Sequence, residues 1–455
     1  MGDDGVAERA LVVGLAVTGE AVARQLLRRG HQVVAVDDHP GPGALAAATA
    51  LGIELAPAHR LAELVAGAGV VLPSPGVPAR HPVFALAADA GVPVWSELEL
   101  AARWSELPVV AITGTNGKTT VTTLVTEMLQ RAGRRTVAAG NTDLPLVDAL
   151  DLDLDMAVVE ASSFRLQLTE TFRPVVGTWL NLAEDHLDWH RSMTEYAAAK
   201  ARVWANHAGA DVAVANADDP VVAAAARRLT GSVVWFSTAG NMAEWRLDPQ
   251  REALVGPAGA LVNTADLPRR LPHDLANALA AAASATAAGV APEVCAEVLT
   301  GFAGLAHRLA LVAEAGDIRW YDDSKATTPA SVLAAVRGFD SVVLIAGGRN
   351  KGLDLSVLGT TAPPVRAVVA IGDAAGEVEA AFAGGAAPVA VAHDMAQAVA
   401  MAAEAARPGD AVVLSPGCAS FDWYRDYTER GDDFARRVLD LTGAVAAPAL
   451  PGGGH

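Results

Sequence analysis

Cysteine is nearly absent. Only Cys295 and Cys418 occur in 455 residues, far apart in the chain. That excludes a disulfide scaffold and a thiolate metal site, and it fits a reducing compartment. No apolar run is long enough to cross a bilayer; the alanine-rich stretch at 276–288 is too short and too weakly hydrophobic. The opening Met1-Gly2-Asp3-Asp4 is acidic and polar, unlike a signal peptide. Positive charge is in deficit: 34 Lys and Arg stand against 52 Asp and Glu, a net charge of −18. Such a surface repels nucleic acid and anionic membrane. There is no long Pro/Ser linker and no clear internal repeat. These absences predict a cytoplasmic globular protein with no nucleic-acid partner and no membrane insertion.

What is present is apolar material and alternation. Hydrophobic residues make up 52% and charged residues 19%, enough for several packed cores. At about 100–200 residues per domain, the length suggests about three domains. Short β-rich runs alternate with alanine-rich helical segments, the pattern of parallel sheets flanked by helices. Strands are expected at 10–14, 32–36, 107–113, 156–160, 175–180, 212–216, 318–322, 342–346, 367–371 and 411–414, and helices at 19–29 and 119–132. The expected boundaries are 1–97, 98–304 and 305–455. The first block opens as a βαβ unit with Gly14-Leu-Ala-Val-Thr-Gly19, short of the full G-x-G-x-x-G. It reads equally as a plain βα turn or a nucleotide loop. Asp37 and Asp38, ending the second strand, suit a ribose or base, or a solvated loop.

Gly114-Thr115-Asn116-Gly117-Lys118-Thr119-Thr120 follows an apolar strand and precedes a helix. That is the setting of a phosphate loop, where small residues let backbone N–H groups approach phosphate oxygens at a helix N-terminus. Lys118 can reach the β- and γ-phosphates of ATP, and the Thr119 hydroxyl can ligate Mg²⁺. Ile112 stands where the general pattern has its first glycine. Glu160, ending a strand beside this loop, suits Mg²⁺; otherwise it is an exposed strand-end acid.

The loop Gly-Thr-Asn-Gly-Lys-Thr resembles the ATP loop of the Mur ligase superfamily, which includes folylpolyglutamate synthases. The resemblance implies three α/β domains: a Rossmann-like UDP-binding N-terminal domain, a central P-loop-type ATPase domain with a mostly parallel sheet, and a Rossmann-like C-terminal domain for the amino acid. It also implies roles for other residues. Asn181-Leu-Ala-Glu-Asp-His186-Leu-Asp188 is similar to the N-x-x-x-D-H-x-D motif, whose histidine binds metal. Tyr196-Ala-Ala-Ala-Lys200 is similar to the setting of a lysine that carries a carbamate and helps hold a second Mg²⁺. Asn141 matches a residue near the diphosphate and reacting carboxylate of the UDP substrate. Val17, Thr18, Asp37, Asp38 and Ser74 match the UDP surroundings, with His186 also on the substrate side. Asn277 matches the adenine-contacting asparagine, while Asp274 replaces the usual asparagine before it.

In the third block, Arg308 of Leu-Ala-His-Arg matches an arginine that meets ATP. Asp323-Ser-Lys325-Ala-Thr327-Thr328 resembles D-S-K-A-T, in which the aspartate accepts from the ATP ribose and the lysine contacts phosphate. With Ser162-Ser-Phe after the strand-end glutamate, and no D-x-P-x-R, it points to the branch that adds D-glutamate. Arg165 replaces the glutamine usual in S-S-F-Q-L. Ser415-Pro-Gly-Cys418-Ala-Ser420-Phe421-Asp422 is expected to open a helix whose hydroxyl and N–H groups receive a carboxylate. Thr327, Lys351, Ser420, Phe421 and Tyr427 match positions around D-glutamate, and Tyr427 stands where Phe is frequent. The resemblance therefore implies a monomeric ligase in peptidoglycan synthesis. It would use ATP and two Mg²⁺ ions to join D-glutamate to UDP-N-acetylmuramoyl-L-alanine through an acyl phosphate. A folylpolyglutamate synthase would lack the UDP-type first block. A P-loop NTPase switch would hydrolyse ATP with no amino-acid acceptor.

Overall fold

The computed structural model describes residues 8–185, 189–240, 243–385 and 387–444. They form two compact units. One runs through Leu267 and takes in Leu275–Gly301; the other comprises Pro268–Asp274 and the chain from Phe302 onward.

The first unit holds two sheets. Four parallel strands lie in the order Glu54–Ala56, Gln32–Val36, Arg9–Val13, Val70–Pro73. This is the Rossmann-like arrangement expected of the first block. The second sheet has nine strands. Its centre is Val109–Thr113, paired in parallel with Met156–Glu160 on one side and Val176–Trp179 on the other. All five residues of that central strand are buried, because helices cover both faces of a parallel sheet. At the far edge, Trp245–Asp248, Ala253–Gly256 and Gly259–Asn263 form an antiparallel meander that the sequence reading did not anticipate. One apolar cluster runs from Val12 and Leu26 through Leu98 to Ala111 and Trp179, so the two sheets share a core. Polar contacts tie them further: Arg24 pairs with Asp148 at 2.7 Å, and the Gln25 amide donates to Asp148 and Asp151.

The second unit is a six-stranded sheet, parallel except for its edge strand Ala310–Ala315. Along Val342–Gly347, residues alternate between two apolar layers. Leu344 packs with Val332, Val368 and Val413, and Ile345 packs with Val369, Met395 and Phe434. Period-two alternation in a strand buried on both faces produces this.

One expectation fails. Ser415 lies inside the strand Ala411–Gly417, and Ser420, Phe421 and Asp422 do not open a helix. The helix begins at Tyr427, capped by Asp426, whose carboxylate accepts from the Glu429 N–H at 2.9 Å. The Asp-x-x-Glu cap supplies the start signal that the Ser-Pro-Gly segment lacks.

Candidate active site

The phosphate loop links the strand Val109–Thr113 to the helix Lys118–Arg131. Ile112 is fully buried and paired to Glu160 and Thr178. The strand thus continues through the position where the general motif has glycine, and the turn starts at Gly114. Gly117 caps the helix with φ +84°, and a Cβ there would lie 2.4 Å from the Asn277 side-chain oxygen. Only glycine suits both that backbone and that contact. Asn277 therefore packs against the loop, on the long helix Pro272–Ala287. Asp274 is bound instead to Arg269 at 2.9 Å.

A side-chain brace fixes the first turn of the loop. The Asn181 side-chain oxygen accepts from Thr115 N at 3.0 Å and Asn116 N at 2.9 Å, while its amide donates to Asn116 O. In the sequence Asn181 is only the first residue of the N-x-x-x-D-H-x-D match, and nothing local marks this task. The Lys118 ammonium folds back onto Gly114 O at 3.0 Å and Thr115 O at 2.8 Å.

Glu160 ends its strand 2% exposed. Oε2 accepts from the Thr119 hydroxyl at 2.7 Å, and Oε1 accepts from the Asn141 amide at 2.8 Å. The parallel register that sets Gly140 beside Glu160 places Asn141 there. Thr119 and Glu160 thus converge at the helix N-terminus with hard oxygen donors, the type Mg²⁺ takes alongside phosphate oxygens and water. Among the described residues no group of three or more His, Cys, Asp or Glu gathers as a metal cluster. His186 lies outside the described residues.

Lys200 lies on the helix Met193–Ala201 and is 1% exposed. Its nitrogen meets Gly114 O at 2.7 Å and sits 4.5 Å above the Tyr196 ring. The Tyr196 hydroxyl is 3.2 Å from Thr115 Oγ1, so this helix is keyed to the loop at two points. Burial, then the Lys118 charge, hold the Lys200 ammonium well below its usual range.

In the first sheet, Gly14 turns back with φ +81°, and Ser74 donates to its carbonyl at 2.6 Å. Asp37 accepts from Leu15 N and His39 N, both at 3.0 Å, so its carboxylate organises the turn. Asp38 is exposed and lies 2.9 Å from His81. Val17 is 66% exposed. Thr18 accepts from Arg165 at 3.2 Å.

In the second unit, Asp323 is buried at the end of Ile318–Asp322. It accepts from the Ser415 hydroxyl at 2.7 Å and from Leu309 N at 3.2 Å. Burial raises its carboxyl to about 7, although the Ser415 hydrogen bond and the Arg308 charge pull it down. Lys325 donates to the Tyr427 hydroxyl at 2.9 Å. Lys351 stands 5.3 Å over the ring of Phe421, itself 54% exposed. Main-chain bonds between Arg349 and Ala419 set these two loops side by side, with Ser420 buried beneath. Gly417 N donates to Ala326 O, bringing Thr327's segment alongside. Arg430, fully buried, donates to Ser324 Oγ and O and to Cys418 O. It ties the Asp323–Thr327 segment to the Ser415–Phe421 segment, a task the sequence left unread.

Three domain families match the chain: "Mur ligase MurD-like, N-terminal domain" over residues 8–96, "Mur ligase middle domain" over 112–285, and "Mur ligase, glutamate ligase domain" over 307–418. A UDP-N-acetylmuramoylalanine--D-glutamate ligase of Frankia casuarinae is 44% identical, covering 94% of this chain and 93% of its own. The protein of that name from Desulfosudis oleivorans is 40% identical, covering 95% and 96%. Among solved structures, a pseudomurein peptide ligase type C from Methanothermus fervidus superposes with TM-score 0.61 at 18% identity, covering 96% of this chain and all of its own. MurF from Acinetobacter baumannii superposes with TM-score 0.59 at 21% identity, covering 96% and 93%. These two likenesses concern the fold alone.

Proposed function

The chain belongs to the Mur ligase family, and on that premise we propose that it joins D-glutamate to UDP-N-acetylmuramoyl-L-alanine with conversion of ATP to ADP and phosphate, in peptidoglycan precursor synthesis. The observation that carries this reading is the convergence of Thr119, Glu160 and Lys118 on one helix N-terminus beside the buried Lys200. Similarity to D-glutamate ligases, 44% and 40% identical over nearly the full length, supports D-glutamate as the acceptor.

The substrate's alanyl carboxylate attacks the γ-phosphorus of ATP. An acyl phosphate forms and ADP leaves. The D-glutamate amine then attacks the acyl carbon and loses a proton to solvent, and the tetrahedral intermediate collapses to an amide as phosphate departs. This chain positions charged partners and neutralises them. Lys118 and the loop Gly114–Thr120 take the phosphates, through the N–H groups that the Asn181 brace leaves free. Thr119, Glu160, His186 and a carbamate on Lys200 would hold two magnesium ions. Bound there, magnesium would offset the charge on the moving phosphoryl group. The carbamate forms when the neutral Lys200 amine bonds to CO2 and loses a proton.

Val17, Thr18, Asp37, Asp38, Ser74, Asn141 and His186 are assigned to the UDP substrate, and Asn277 to adenine. Arg308, Asp323 and Lys325 are assigned to ATP, with Asp323 accepting from the ribose. Thr327, Lys351, Ser420, Phe421 and Tyr427 are assigned to D-glutamate. The boundaries 1–97, 98–304 and 305–455 divide these tasks in a monomer of the cytoplasm. Mass spectrometry of a reaction with UDP-N-acetylmuramoyl-L-alanine, ATP, Mg²⁺ and D-glutamate should show a product heavier by one glutamyl residue. ATP hydrolysis with an unchanged UDP substrate would support an NTPase instead.

A further inference from the structure

Arg165 departs from the glutamine usual at its position, and it is buried. It is 4% exposed on the short helix Ser163–Gln167, just after the strand that ends at Glu160. Its guanidinium reaches three partners. Nε lies 3.2 Å from Glu97 Oε1, Nη1 donates to Asn141 Oδ1 at 2.7 Å, and Nη2 donates to Thr18 Oγ1 at 3.2 Å. Glu97 is also buried, 3% exposed, and its other oxygen accepts from Leu146 N at 3.0 Å.

The contact with Asn141 has a directional consequence. An amide has one accepting and one donating end. With Oδ1 held by an obligate donor, Nδ2 must point the other way, and there it donates to Glu160 Oε1 at 2.8 Å. A flipped amide would set oxygen against oxygen at Glu160 and N–H against N–H at Arg165. Oε1 is thereby occupied, and Oε2 is the oxygen presented on the Thr119 side, 2.7 Å from that hydroxyl. A glutamine could donate to Asn141 without needing a counter-charge. A buried arginine needs one, and Glu97 provides it.

We propose that Arg165 is a positioning residue: through the Asn141 amide it fixes which oxygen of Glu160 faces the phosphate loop, and Glu97 is the counter-charge that accompanies it. The inference rests on the reading of Glu160 as a cation ligand. Outer partners of this kind are typically worth about tenfold to a hundredfold in metal affinity.

The test compares charge-balanced pairs, since Arg165→Met alone would strand a buried carboxylate. Mn²⁺ is titrated by electron paramagnetic resonance into wild type, E97Q/R165Q, E97Q/R165M and Asn141→Leu, each with a non-hydrolysable ATP analogue and no UDP substrate. E97Q/R165Q keeps a donor and should bind Mn²⁺ nearly as wild type. E97Q/R165M should bind about tenfold more weakly, with a melting temperature close to that of the glutamine pair. Asn141→Leu removes the amide with the ion pair intact and should weaken Mn²⁺ alike, which covers the case where the methionine pair does not fold. Equal Mn²⁺ affinity in the methionine and glutamine pairs, or in Asn141→Leu and wild type, overturns the inference. Glu160→Gln is the control. If it weakens Mn²⁺ while the others do not, the inference alone fails; if it too leaves Mn²⁺ binding unchanged, the ligand reading fails with it.

Discussion

Lys118 and Lys200 converge on one carbonyl: their side-chain nitrogens lie 3.0 Å and 2.7 Å from Gly114 O. Two ammonium groups sharing one acceptor, one of them fully buried, cannot both hold their charge cheaply. Burial first, and the neighbouring Lys118 charge second, displace Lys200 toward the neutral amine. That form is the nucleophile that CO2 requires.

The proposed carbamate on Lys200 has a direct spectroscopic test. Protein equilibrated with 13C-bicarbonate should show a carbamate carbonyl resonance that Lys200→Gln lacks. The same substitution should lower kcat by roughly a hundredfold or more, as loss of a charged group at a phosphoryl-transfer site does. A Lys200→Gln enzyme with near-normal kcat would contradict the assignment.

Asp323 should impose a pH dependence on ATP recognition. Burial raises its carboxyl from the ordinary 3.8 to about 7, so the folded chain holds a proton the unfolded chain has already lost. Its contribution to stability is full below 3.8 and fades as pH rises through about 7. In denaturant titrations, wild type should lose stability relative to Asp323→Asn between about pH 4 and about pH 7. On the proposal that Asp323 accepts from the ATP ribose, the ionised carboxylate is the stronger acceptor, so KM for ATP should fall as pH rises through about 7. Ser415→Ala removes a hydrogen bond that lowers this pKa, and it should move the inflection to higher pH.

Asn181 braces the phosphate loop through two N–H groups. Asn181→Ala leaves those donors short of their side-chain acceptor, at about 1–3 kcal/mol for a buried group. KM for ATP should rise about tenfold or more by the same arithmetic, while binding of the UDP substrate, measured by calorimetry, stays near wild type.

Gly117→Ala strains the loop twice, through φ +84° and through a Cβ 2.4 Å from the Asn277 oxygen. The backbone alone contributes about 1–2 kcal/mol. Calorimetric ATP affinity should fall well beyond tenfold, with the melting temperature reduced by only a few degrees.

Much of this was legible in the chain because local signals agreed with the fold. The strands Gln32–Val36, Met156–Glu160, Val212–Asn216 and Ile318–Asp322 fall where the β-rich runs place them. The phosphate loop sits at the strand-to-helix turn its glycines require. The antiparallel meander was not seen, although Gly256-Pro-Ala-Gly259 is a turn signal, because its strands are only four or five residues long and the two outer ones are partly exposed. The segment at 415–422 was misread because Ser and Gly suggest a helix start, while the true cap, Asp426 with Glu429, lay further on. Burial of Lys200 was invisible: an alanine-rich helix reads as surface until Tyr196 and the loop close over it. Arg165 and Glu97 are 68 positions apart, and nothing local in either announces the other.

The most direct measurement is phosphate release by the purified protein with UDP-N-acetylmuramoyl-L-alanine, ATP and Mg²⁺, comparing amino-acid acceptors. Release that depends on D-glutamate, with L-glutamate and meso-diaminopimelate inactive, is the predicted result; equal release with either of those would contradict the account.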